Sequence, residues 1–220
     1  MTNPEAQQQS LNELLKWSVE NSDVTRNDPN APTPQDPRKG FNTQAMAELF
    51  GATSDADRMR QAMTAIIAPP DQVDLENKIT AWDNLEQLIE QIDNANNLEP
   101  LGMWPLLVQQ LENEEPEMRK GSAGVMGTAV QNNIKAQEKL LEHGAVPKLV
   151  KIAIDDGDKA TRKKAVSALS SEVRNYQPGF DELEKHVPKQ LWAGQRGLDA
   201  GDMEGIDEVV QKLRAHAARD

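Results

Sequence analysis

The chain has 220 residues, no cysteine and a formal net charge of -12. Its length can bury a core without covalent staples, and the missing cysteine excludes a thiol nucleophile, a redox pair, disulfides and thiolate metal sites. The acidity argues against a nucleic-acid partner, whose phosphates are held chiefly by Lys and Arg. Met1 to Ser10 carry neither a basic start nor an apolar run, and no apolar stretch is long enough for a bilayer, so the expectation is a soluble protein with the cytosol as its default.

Ser10-Leu11-Asn12-Glu13 reads as a capping box that opens a short amphipathic helix over residues 10–20, with Leu11, Leu14, Leu15 and Ser18 on one face and Trp17 beside them. Asn21 to Gly40, with Pro29, Pro32, Pro34 and Pro37, is too polar to offset its own ordering entropy, so residues 1–40 read as a flexible N-terminal segment. Two helices with caps and stops follow over residues 41–70: Thr43 to Phe50 before Gly51, and Ser54 to Ile67 before Pro69-Pro70. They suit an N-terminal cap.

From Asp71 the sequence resembles itself at a period of about 42 residues, in the range of helical solenoids. Gly102-Met103-Trp104-Pro105-Leu106-Leu107-Val108 recurs as Gly144-Ala145-Val146-Pro147-Lys148-Leu149-Val150. Ala81, Ala123 and Ala165 share a column, as do Lys78 with Lys120, Ile92 with Ile134, Leu98 with Leu140, and Asn133 with Asn175. Each copy reads as a long helix, a short helix ending at Gly, and a helix starting near Pro. The small Ala column suits close helix crossings, and Gly121, Gly124 and Gly127 read as closer packing still, since no strand precedes them to make a phosphate loop. After Arg174 the pattern decays, and Asp207 to Ala217 is an amphipathic helix able to close the stack. With few aromatics and no β-branched runs, the fold class is all-α: an armadillo-like helical solenoid over residues 71–220.

Charge is uneven. Asp71 to Glu117 holds a single base, Lys78, whereas Arg119 to Arg174 is basic on balance, which can orient a protein partner on approach. Catalytic patterns are absent: His143, His186 and His216 lie far apart, and Asp155-Asp156-Gly157-Asp158 lacks the alternating ligands and closing Glu of a calcium loop. His143, next to Gly144, reads as a helix-end cation and the Asp cluster as a turn. No metal, no cofactor and no enzymatic activity are expected.

Leu14-Leu15-Lys16-Trp17-Ser18, Asp93-Asn94-Ala95-Asn96-Asn97, Gly127 to Asn133 followed by Ala136-Gln137, and Val173-Arg174-Asn175 together resemble the Fes1/HspBP1-type armadillo nucleotide-exchange factors of heat-shock-seventy chaperones, in their fungal form. The resemblance covers nearly the whole chain and implies a cytosolic, monomeric cochaperone that grips the chaperone's ATPase domain with the concave face of the solenoid and promotes release of ADP and then of client. It further implies that Leu11, Leu14, Leu15, Lys16 and Trp17 imitate a client at the chaperone's substrate-binding domain. In armadillo proteins that face is lined by the helices which here contain Ala81, Met126 and Arg174; these residues with Asn84, Gln87, Asn132 and Asn133 form the expected partner-binding set. Asn94 and Asn97 suit capping equally well. The alternatives are an armadillo peptide-binding adaptor or a scaffold; a peptide groove uses a ladder of Asn where this chain has Gln87, Ala129 and Ser171.

Overall fold

The computed structural model describes residues 53–220 except 193 and 195. The chain divides after Arg58, and of its first unit only the opening of one helix is described. The helices are α1 (Asp55–Ile67), α2 (Leu75–Ile89), α3 (Ile92–Asn97), α4 (Trp104–Gln110), α5 (Pro116–Ala129), α6 (Ile134–Glu142), α7 (Ala145–Asp155), α8 (Lys159–Val173), α9 (Gln177–His186) and α10 (Met203–Ala217), with a 3-10 turn at Lys189–Leu191. Among the described residues there is no strand, as the sequence implies. The expected helices at residues 10–20 and Thr43 to Phe50, and the expected linker between them, lie outside the described residues.

The second unit, Met59–Asp220, is organised on the long helices. α2, α5 and α8 pack side by side in that order, α10 adds beyond α8, and the shorter helices pack against this ladder and on one another. Their termini follow from local chemistry. Asp74 caps α2 by accepting from Asn77 N at 2.9 Å, and Asp158 caps α8 by accepting from Thr161 N at 2.7 Å. Gly102 and Gly144, 42 residues apart, both sit in the left-handed region at φ 65 and 69, which glycine enters without steric cost. That turn sends the chain into α4 and α7.

The core is continuous through this unit. Trp82, Leu85, Leu98, Trp104, Val125, Leu140, Leu149, Leu169 and Phe180 are all buried in it. Two glycines permit the close approach of the ladder helices, as their spacing implies. A Cβ on Gly121 would lie 2.4 Å from Trp82 Cγ, and one on Gly127 would lie 2.9 Å from Ala168 Cα. α5 can touch both its neighbours only because these positions carry no side chain.

Two boundaries differ from expectation. α10 begins four residues before Asp207, because Asp202 accepts from Gly205 N at 3.1 Å and so turns an apparent breaker into first-turn backbone. The Asn133–Asn175 column slips by one residue. Asn132 and Asn175 are the pair with positive φ, 54 and 56, while Asn133 and Tyr176 are the N-caps that follow them. Asn is among the few residues that tolerate this conformation. The third copy thus gains one residue between its Ala165 column position and this turn, its long helix running 15 residues against 14 in the copy before.

Candidate partner-binding face

The ladder α2–α5–α8 presents a graded surface. Exposed side chains of α2 include Glu76, Asp83, Asn84 and Gln87; those of α8 include Lys163 and Ser167, with Lys164 half-buried. The acidic and basic halves of the sequence become the two sides of one ladder, with glycine-rich α5 between them. Glu86 of α2 crosses that gap: its Oε1 accepts from Lys164 Nζ at 2.9 Å and from Thr128 Oγ1 at 3.1 Å.

The expected partner-binding residues fall into separate environments. Asn84, Gln87 and Asn132 are exposed. Ala81 is 8% exposed, whereas its column mates Ala123 and Ala165 are fully buried. Met126 has no exposed surface and belongs to the core. It shares a column with Asn84, but α5 lies between α2 and α8, so the register that faces solvent on one helix is closed on the other. Asn133 is buried and structural, its Oδ1 accepting from Ala136 N at 3.4 Å and its Nδ2 donating to Ala129 O at 3.2 Å. Neither Met126 nor Asn133 offers a surface to a partner. Arg174 is half-buried at the end of α8, paired with Asp207 and 3.5 Å from Met203 Sδ, which ties it to α10. Leu11, Leu14, Leu15, Lys16 and Trp17 lie outside the described residues.

Other sequence readings resolve similarly. Asn94 is structural, its Nδ2 donating to Leu88 O at 3.0 Å. His143 does end α6, but its ring faces Glu99 Oε2 at 3.0 Å and stacks on Trp104 rather than merely answering the helix dipole. The His143 and Lys139 contacts hold the Glu99 carboxyl below its ordinary range. Asp156 lies in the turn between α7 and α8, where Arg119 donates Nε to its Oδ2 at 2.6 Å and Nη2 to its Oδ1 at 2.8 Å.

The Glu172 side chain is fully buried and neither carboxyl oxygen has a partner; desolvation pushes its pKa up to about 9. It is therefore a neutral acid at neutral pH. Burial and the Glu172, Glu138 and Glu142 carboxylates raise the neighbouring Tyr176 as well. Among the described residues no cluster of three or more His, Asp or Glu could hold a metal ion, and no helix is long and apolar enough to cross a membrane.

Sequence reasoning missed Glu86, Thr128 and Lys164. Glu86 and Thr128 stand 42 residues apart, one repeat, so the column was available; Lys164 lies outside that column and is joined only by the fold.

Residues 11–98 match the family described as nucleotide exchange factor Fes1, and residues 94–186 match the SIL1/FES1/HPBP1 C-terminal domain. An Hsp70 nucleotide exchange factor FES1 of Gibberella zeae is 48% identical over 93% of this chain and 95% of its own length. The FES1 of Coccidioides immitis is 47% identical over 93% and 96%. The fes-1 protein of Neurospora crassa is 41% identical over 94% and 98%. Among solved structures, a designed armadillo repeat protein in complex with a (KR)4 peptide aligns with a TM-score of 0.55 at 19% identity, over 81% of this chain and 70% of that one. A second designed armadillo protein gives 0.54 at 20% over the same shares. These likenesses establish the armadillo-like fold.

Proposed function

The chain belongs to the Fes1 family of Hsp70 nucleotide exchange factors, and from that premise we propose that it binds the ATPase domain of a cytosolic Hsp70 through the α2–α5–α8 ladder, promotes ADP release and so frees the bound client. The carrying observation is the match to named exchange factors over nearly the whole of both chains. The graded ladder suits such a contact. Asn84, Gln87 and Asn132 offer exposed amides and Arg174 a half-exposed guanidinium at its end, while Ala81, 8% exposed, is a small residue that would leave room for close approach.

No catalytic group is required of this chain. A partner that binds the open ATPase better than the closed, ADP-holding form shifts the equilibrium by that differential affinity. By linkage, ADP weakens the exchange factor's grip by the same factor, typically about 5- to 150-fold. Titrating the chain into an isolated Hsp70 ATPase domain by calorimetry, with and without ADP, tests this. The expected result is one monomer per domain with markedly weaker binding in ADP; equal affinity in both would refute it.

Leu11, Leu14, Leu15, Lys16 and Trp17 are proposed to act as a client mimic at the substrate-binding domain, since leucines beside a basic residue suit a site that holds extended apolar peptide. The peptide-adaptor reading is weaker. Its Asn ladder is replaced by exposed Gln87, buried Ala129 and half-buried Ser171.

A further inference from the structure

We infer that the Glu86–Lys164 ion pair is a positioning clasp that sets the separation of α2 and α8, and with it the shape of the face offered to the chaperone; the partner in this inference rests on the proposed function, the geometry does not. The two residues are 78 apart in sequence and belong to helices that are both neighbours of α5. An ion pair between them skips a helix. Contacts between adjacent helices allow each pair to tilt about its own crossing, whereas a link from the first to the third fixes the arc of all three.

The path of the pair is prepared in the backbone. A Cβ on Gly124 would lie 2.7 Å from Glu86 Oε2 and 2.8 Å from Lys164 Cε, so glycine leaves the space in which the two side-chain ends meet over α5, and any side chain there would displace them. Thr128, one turn further along α5, donates to the Glu86 oxygen that Lys164 also holds, which ties the middle helix to the clasp. Both charges remain partly in water, with side-chain exposures of 28% for Glu86 and 39% for Lys164. An ion pair so exposed is worth up to about fivefold in an equilibrium constant. That is too little to hold the fold together and enough to change the fit of a partner.

The chain's lack of cysteine makes the test direct. Asp83→Cys on α2 and Ser167→Cys on α8, both at exposed positions, accept spin labels whose separation pulsed electron paramagnetic resonance reads. Glu86→Lys or Lys164→Glu alone should broaden or displace that distance, and the double charge swap should return it, because the Thr128 hydroxyl can accept as well as donate. Affinity for the Hsp70 ATPase domain should fall about fivefold in each single variant and recover in the swap, with thermal unfolding hardly changed. Gly124→Ala is the second arm. It keeps both charges, pushes their flexible ends apart and gains helix propensity, so it should melt no lower than the parent while the distance broadens and binding weakens.

A distance unchanged in the single variants overturns the clasp. So does a swap that restores the distance but not the affinity, since Glu86 and Lys164 would then be partner contacts and not positioning residues. If the parent binds no ATPase domain yet the distances move as described, the clasp is supported and only the proposed partner falls.

Discussion

Glu172→Gln should stabilise the second unit and flatten part of its dependence on pH. The Glu172 side chain is fully buried with both carboxyl oxygens unpartnered, and its pKa rises from 4.5 to about 9. In the unfolded chain this carboxyl ionises near 4.5, whereas the folded unit must keep it protonated. The folded state therefore binds more protons between those values, and stability falls as pH rises from 4.5 towards 9. Each pH unit costs about 1.4 kcal/mol. The variant removes that cost and leaves a neutral side chain of similar shape whose amide is no better partnered than the acid was. Its advantage over the parent should be about 1 kcal/mol at pH 5.5, about 3 kcal/mol at pH 7 and about 5 kcal/mol at pH 8.5. Urea unfolding followed by circular dichroism at 222 nm, on both proteins at all three pH values, reads the difference directly. A difference that does not grow with pH would mean that Glu172 is ionised or partnered in the fold, and the reasoning would fail.

Four further outcomes are expected. Gly121→Ala should lose about 2 kcal/mol of stability by urea unfolding despite its better helix propensity, because the added methyl meets the buried Trp82 ring at 2.4 Å. Arg119→Met should cost about 2 to 3 kcal/mol in the same assay, since the Asp156 side chain, 4% exposed, loses its two-point guanidinium partner. Ala81→Arg should abolish chaperone binding in a pull-down while the helical signal persists, its long side chain obstructing the rim; a melted helical signal would make Ala81 a packing position only. Deleting residues 1–40 should preserve ADP release in a fluorescence assay yet fail to free tightly held unfolded client; equal loss of both would refute the client-mimic role.

The repeat and the helices were legible because the rules behind them are local. Ser54 was readable as a cap, and Asp57 N does donate to its Oγ at 3.1 Å. Gly121 and Gly127 announced close crossings, and Ala168 and Trp82 are what they admit. The face was read less well. A column assigns the same side to every copy, but Met126 on α5 has a helix on either side, while Asn84 on α2 does not share that closure. Long-range charge partners left no trace. Nothing near Arg162 marks it as the side chain that donates to Asp156 O and Gly157 O after α7 and to Ala217 O at the end of α10. Glu172 reads in sequence as one more surface carboxylate on a helix, and only burial in the folded unit makes it neutral.

The central claim is exchange-factor activity through a protein face. Stopped-flow release of a fluorescent ADP from a cytosolic Hsp70, with and without a stoichiometric excess of this chain, tests it most directly. Release should accelerate well beyond the spontaneous rate, with the chain itself hydrolysing nothing; release at the spontaneous rate in the presence of excess chain would contradict the claim.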